Sequence, residues 1–248
     1  MKSKGISIAE ILERWTSLFL EIAFPGNCLL CSRSLIFDSD RIVPLCLSCR
    51  HSIKSIEERI GDNERCRRCS KPLISEEHLC MKCRTREFAF LSNYSIFEYK
   101  SIRELLYLYK KKGNRRLASF FAERTAKAYK RKYASLPLIP VPTRKSEKRR
   151  RGWGHTEEIV KILNKKFGIT VLTPLSRKEA RAQKELGYEE RLNNIKGKIV
   201  FSPVIKELPE KVILFDDVFT TGATVNECTR VLLEYGIKEI SVLTLAMD

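Results

Sequence analysis

Eight of the chain's nine cysteines fall between Cys28 and Cys83, and they fall there as four C-x-x-C pairs: Cys28/Cys31, Cys46/Cys49, Cys66/Cys69 and Cys80/Cys83. A C-x-x-C knuckle turns both sulfurs toward one ion at about 2.3 Å, and two knuckles complete a tetrahedron. The stretches between successive pairs hold 14, 16 and 10 residues, which suits zinc ribbons. Four pairs therefore predict two structural Zn²⁺ ions, each held by four thiolates with no coordination position left open. Sequential pairing, first with second and third with fourth, is the expected arrangement, and a cross-braced one is the alternative. His51 and His78 lie near pairs, but no cysteine is missing for them to replace. One C-x-x-C alone could be redox-active; four argue against it. Iron–sulfur ligation usually shows different spacing.

Disulfides are disfavoured by compartment. Met1-Lys2-Ser3-Lys4 is basic, but Glu10, Glu13 and Arg14 interrupt any apolar segment of a secretory signal. The run from Ser17 to Phe24 is too short to span a bilayer. The expectation is a cytoplasmic protein without a membrane span, its thiols reduced or metal-bound. The ninth cysteine, Cys228, stands apart and reads as a packing residue, like Trp15.

Cysteine placement divides the chain. Residues 1–25 read as an N-terminal helix segment, helical over 6–23 with Ile8, Ile11, Leu12, Trp15, Leu18, Phe19 and Ile22 on one face and Pro25-Gly26 ending it. Residues 26–88 form the double zinc-ribbon domain. In residues 89–248, helices (102–109, 116–132, 156–167, 224–235) alternate with short apolar strands (93–99, 138–139, 169–172, 212–215, 240–246). Residues 144–155 read as a basic loop, and 176–197 as polar and irregular. Fully apolar strands alternating with helices predict an α/β fold with a parallel sheet.

Within that pattern, Val212–Phe215 is a buried strand followed by Asp216-Asp217, a turn Thr220-Thr221-Gly222-Ala223-Thr224, and a helix. In open parallel sheets, ligands bind at this carboxyl edge. The turn can aim backbone N–H groups and hydroxyls at a phosphate, Gly222 permits close approach, and the helix dipole adds positive potential. The carboxylates of Asp216 and Asp217 suit ribose hydroxyls, directly or through Mg²⁺. A plain acidic strand end with a Thr-rich turn explains the turn but not the two acids beside it. These residues, Val212 to Thr224, resemble the signature of type I phosphoribosyltransferases. The resemblance implies that the turn binds the 5-phosphate of phosphoribosyl pyrophosphate (PRPP) and that Asp216 and Asp217 face the ribose.

Lys plus Arg number 47 against 30 Asp plus Glu, a formal charge of +17. Such an excess favours an anionic partner: nucleic acid, phosphates or an acidic surface. It is partly clustered in Arg144-Lys145-Ser146-Glu147-Lys148-Arg149-Arg150-Arg151, after the strand at Leu138-Ile139. Arg144 and Arg151 are candidates for pyrophosphate. Trp153, just beyond, either stacks on a base or anchors the segment in the core.

Pro140-Val141-Pro142, Arg151-Gly152-Trp153, and Arg177 with Gln183, Leu186, Arg191 and Asn194 resemble the competence protein F (ComF) family, as do the double cysteine pairs before them. That family usually carries Arg-Gly-Phe-Asn-Gln where this chain has Arg151-Gly152-Trp153-Gly154-His155. The resemblance implies zinc ribbons joined to a type I phosphoribosyltransferase-like domain. It further implies binding of PRPP or a related ribose phosphate with Mg²⁺, and handling of single-stranded DNA in natural transformation beside protein partners of the uptake machinery. An active phosphoribosyltransferase in nucleobase salvage is the alternative, with Asp216 and Asp217 at the reacting sugar.

Overall fold

A computed structural model of the chain describes residues 26–35, 43–61, 64–133, 135–178, 195–202 and 208–248. The expected helix over residues 6–23, with Trp15, lies outside them, as do Gln183, Leu186, Arg191 and Asn194. Two compact units are present, Met1–Lys54 and Ser55–Asp248.

The first unit carries one cysteine tetrad and the second unit carries the other, and both are built the same way. In the first, Cys28 N–H donates to Arg33 at 2.7 Å and Ser32 N–H returns to the Cys28 carbonyl at 2.9 Å. In the second, Cys66 N–H donates to Lys71 at 2.9 Å and Ser70 N–H returns to Cys66 at 2.8 Å. Ser32 and Ser70 both take positive φ (59° and 66°), the sharp reversal that turns each knuckle back on itself. The partner knuckle in each case opens a helix. Cys46 precedes α1 (Leu47–Gly61) and Cys80 precedes α2 (Met81–Arg84), so Cys49 and Cys83 ride in a first helical turn.

The second unit continues with β1 (Asn93–Glu98), α3 (Tyr99–Lys110), α4 (Leu117–Lys132), β2 (Leu138–Pro140), α5 (Lys145–Arg151) and α6 (His155–Phe167). Then come β3 (Leu175–Arg177), β4 (Ile199–Phe201), β5 (Lys211–Phe219), α7 (Ala223–Glu234) and β6 (Glu239–Met247). Strands β1, β6, β5 and β2 form one sheet in that order, parallel throughout, while β3 and β4 pair antiparallel. Val212 and Leu214 pack with Cys228 and Leu232 of α7. Ile213 and Phe215, on the opposite face, are equally buried, so the strand is apolar on both sides and shows no alternation.

The free edge of β1 is covered by the second zinc knuckle. Asn93 N–H donates to the Arg67 carbonyl at 2.8 Å, and Ser95 N–H donates to Ser70 Oγ at 2.9 Å. Arg65 Nη1 donates to the Ser95 carbonyl at 2.5 Å and to Ser70 Oγ at 3.2 Å. An open strand edge is a template for aggregation, and these bonds occupy it.

Three expectations are corrected. The basic segment after β2 is not a loop: Lys145–Arg151 is helical, since its straight-chain Lys, Arg and Glu are good helix formers, and Gly152 at φ 75° ends it. Residues 169–172 do not form a strand of their own, and contribute one parallel bridge, Val171 to Leu138. The segment read as irregular contains most of β3, stabilised by pairing with β4 at a distance in sequence.

This topology opens a crevice. β2 and β5 are neighbours, but from β5 the chain passes through α7 to β6 on one side. From β2 it passes through α5 and α6 and returns at Val171, which bridges β2. Connections that diverge from adjacent parallel strands leave a ligand-sized gap at their carboxyl ends.

Candidate functional site

In β5, the two acids stand between apolar neighbours that fix the strand in the sheet. The strand runs past them to Phe219 instead of ending at Phe215, so both are held by sheet pairing; Asp216 lies opposite Thr244 of β6. Asp216 Oδ1 accepts from the Asp217 N–H at 2.8 Å. Burial, with the charge of Asp217 beside it, pushes the Asp216 carboxyl up to about 7. Asp217 goes the other way. Burial opposes its charge, but Lys110 and His155 outweigh that and hold it well below the usual carboxylate range. Lys110 Nζ lies 2.7 Å from Asp217 Oδ2, and His155 Nε2 contacts the same oxygen.

These partners arrive from two helix ends. Lys110 is the last residue of α3 and His155 the first of α6. His155 is fixed on two further sides. Its carbonyl accepts from Tyr109 Oη at 2.6 Å, and its Nδ1 lies 3.3 Å from Arg151 Nη1. A guanidinium has only donors, so Nδ1 accepts and Nε2 carries the proton toward Asp217. Burial pushes the Tyr109 hydroxyl well above its ordinary range, keeping it a donor.

A cavity of ≈ 400 Å³ opens over this network, lined by Arg144, Arg151, His155, Arg177, Asp216, Asp217 and Thr224 among others. That volume lies within the range of small-ligand pockets. Arg177 is shifted below its ordinary value by burial and then by the positive charge of Arg144. Two cations held close enough to oppose each other make a place where an anion is stabilised.

The structure thus brings Asp216, Asp217, Thr224, Arg144 and Arg151 around one cavity. Thr220, Thr221, Gly222 and Ala223 form the turn beyond it and are not part of its lining. Gly222 has φ 77° and opens α7; Thr221 Oγ1 accepts from Ala223 N–H at 3.3 Å, tightening the turn. Trp153 is an anchor: it is buried, its ring 5.0 Å from that of Tyr109 and beneath the Arg115 guanidinium. Cys228 is fully buried in the core behind the site, as a packing residue. Lys110 is the residue that sequence patterns do not single out, because its role depends on where α3 ends; His155 stands where the family pattern has an amide, and it is the donor that meets Asp217.

The cysteines meet the geometry of zinc. Cys28, Cys31, Cys46 and Cys49 form one cluster, and Cys66, Cys69, Cys80 and Cys83 the other, with all sulfurs of a cluster within 4.8 Å of one another. Cys31 and Cys46 sulfurs are 3.6 Å apart, and those of Cys69 and Cys80 are 3.7 Å apart. Four ligands at about 2.3 Å from a central ion are separated by about 3.8 Å. Pairing is therefore sequential, and neither His51 nor His78 enters a cluster.

Fold and sites together define a zinc-ribbon protein with a parallel α/β unit and a polar cavity at the carboxyl edge of its sheet. Residues 19–84 match the family model described as the double zinc ribbon domain. The chain is 30% identical over 231 residues to Competence protein ComFC of Streptococcus pneumoniae, covering 88% of this chain and 99% of that protein. It is 28% identical over 212 residues to Competence protein F of Haemophilus influenzae, covering 82% and 90%. Competence protein ComFC of Bacillus subtilis is 25% identical over 207 residues, covering 77% and 79%. The chain belongs to the ComF family of competence proteins. Among solved structures, a hypoxanthine phosphoribosyltransferase from Staphylococcus aureus aligns with 54% of this chain and 65% of its own at TM-score 0.32 and 14% identity. A hypoxanthine-guanine phosphoribosyltransferase from Bacillus anthracis aligns with 54% and 69% at TM-score 0.32 and 12% identity. Among the described residues, no helix is long and apolar enough to cross a membrane.

Proposed function

We propose that this protein binds PRPP or a related ribose phosphate at the carboxyl ends of β2 and β5, and handles single-stranded DNA in natural transformation. The observation that carries the first part is the cavity itself. It joins a carboxylate pair to Arg144, Arg151 and Arg177 in one space. A sugar phosphate needs that combination: acceptors for hydroxyls at one end and donors for an anion at the other.

In this reading Asp216 and Asp217 face the ribose. The turn Thr220–Thr224, at the N-terminus of α7, holds the 5-phosphate. Arg144 and Arg151 hold the pyrophosphate. Asp217 Oδ2 is already shared by Lys110 and His155, so Asp216 is the acid that would hold a Mg²⁺ bound with the pyrophosphate, where the ion would neutralise the anion's charge. The DNA-handling part rests on the net charge of +17, the paired zinc ribbons and the names of the relatives.

Two solution experiments test the reading. Thermal unfolding with Mg²⁺–PRPP and with ribose 5-phosphate should give a saturable rise in Tm, larger for PRPP because it adds the pyrophosphate contacts. A labelled single-stranded oligonucleotide should bind at low salt and lose affinity steeply as salt is raised. No Tm shift with either sugar phosphate removes the first part, and no oligonucleotide binding at low salt removes the second.

A further inference from the structure

Tyr94 of β1 is surrounded by three cations from two separate elements. The Arg65 guanidinium lies 5.3 Å from its ring centroid, that of Arg131 5.6 Å, and the Lys132 ammonium 5.4 Å. Arg131 also donates to the Tyr94 hydroxyl. Arg65 comes from the second zinc knuckle and is anchored there by Ser70 and the Ser95 carbonyl. Arg131 and Lys132 come from the last turn of α4, beside Lys130.

Cations at a helix C-terminus need no special reason, since the helix dipole favours them. That explains α4 but not the convergence with Arg65. Significant cation–π contacts occur about once per 70–80 residues, and here three share one ring. Burial is the main cause that lowers Arg65, Tyr94 and Glu98 support its charge, and Arg131 opposes it by less than either. Arg131 and Lys132 are exposed, so an anion can reach both.

We infer that the Tyr94–Arg131–Lys132 patch, where the second zinc knuckle meets the sheet edge, is a docking surface for the phosphate backbone of single-stranded DNA. This rests on the DNA-handling function proposed above and gives it a location. Tyr94 is a positioning residue: its ring gathers the charges before the strand arrives, so less side-chain entropy is lost on binding. The zinc site has a role in this, because the knuckle holds Arg65 against β1.

Arg65 also secures the sheet edge, so the test leaves it in place. Binding of a fluorescent oligo-dT to the zinc-loaded full chain would be measured by anisotropy across a salt series. The double variant Arg131→Glu/Lys132→Glu should bind at least about tenfold more weakly at about 50 mM salt, with a salt slope shallower by about 1–2. Tyr94→Leu should weaken binding with the slope retained, and Tyr94→Phe, which keeps the ring, should restore it. Binding of Mg²⁺–PRPP should be unchanged in all three variants, as none lines the cavity. If wild type binds the oligonucleotide and the double variant binds it equally, the patch is overturned while the DNA-handling function stands; its anion is then something else, such as an acidic protein. If wild type binds no oligonucleotide, both fall together.

Discussion

Asp217 and His155 meet through a single carboxylate oxygen, which Lys110 Nζ also approaches to 2.7 Å. One acid on the central strand thus ties the end of α3 to the start of α6. The residue meeting the strand at the site is a histidine where the family resemblance led to an amide, and it still supplies a donor.

That arrangement ranks two substitutions. Lys110→Met leaves a buried carboxylate with one polar partner and should destabilise the protein by about 3 kcal/mol. His155→Asn keeps a donor near Asp217 and should cost about 1 kcal/mol. Urea midpoints of the two variants check the order; equal midpoints would mean that Lys110 does not hold the acid in solution.

The two acids give opposite pH signatures. Asp217 is depressed when folded, so its contribution to stability is present above the unfolded value near 3.8 and disappears as pH falls below it. Asp216 is raised to about 7, so its contribution is complete below about pH 4 and is lost as pH rises through 7. Asp216→Asn should therefore flatten the stability profile between pH 4 and 7 and stabilise the ligand-free protein at pH 8 by about 1–2 kcal/mol. Denaturation at pH 5 and pH 8 for both proteins measures this, and an unaltered profile would contradict it.

Gly222 cannot carry a side chain without cost. Its φ is 77°, and an added Cβ would lie 2.7 Å from Phe219 Cζ and 2.8 Å from Phe88 Cε1. Gly222→Ala should lower stability by about 2–3 kcal/mol. It should also weaken PRPP binding, because the turn before α7 would shift. A Tm equal to wild type would contradict both the clash with the phenyl rings and the cost of a side chain at this positive φ.

The two zinc sites should differ in what they stabilise. Metal analysis should find two zinc ions per chain, and either Cys46→Ser or Cys83→Ser should remove one. The second knuckle supplies the bonds from Asn93, Ser95 and Arg65 that cover β1. Losing three such bonds at about 1 kcal/mol each should make Cys83→Ser the more destabilising change to the α/β unit, with aggregation through the uncovered edge. If Cys46→Ser has the larger effect on that unit, the edge-cover role is wrong.

The cysteine clusters and the strand–turn–helix around Asp216 were legible in the sequence because each is set by local spacing. Eight paired thiols admit few arrangements, and Val212–Phe215 is apolar on both faces because helices cover both. The extents of β5 and α5 were less legible. Asp216 and Asp217 read as the end of a strand, yet pairing with β6 carries β5 on to Phe219. The charge of Lys145–Arg151 looked like a solvated loop, although the same side chains favour a helix until Gly152 stops it. His155 is marked in the sequence as the residue standing where the family pattern has an amide. Lys110 is hidden for a different reason: nothing local marks it, and only the packing of α3 and α6 on the sheet brings both residues to one oxygen.

The central claim is that the acids of β5 form a ribose-phosphate site, and calorimetric titration of Mg²⁺–PRPP into wild type and Asp216→Ala/Asp217→Ala tests it most directly. Saturable binding by wild type, weakened at least about tenfold in a variant that still folds and keeps both zinc ions, is the expected result. Equal affinity in the two proteins would place the ligand elsewhere and contradict the assignment.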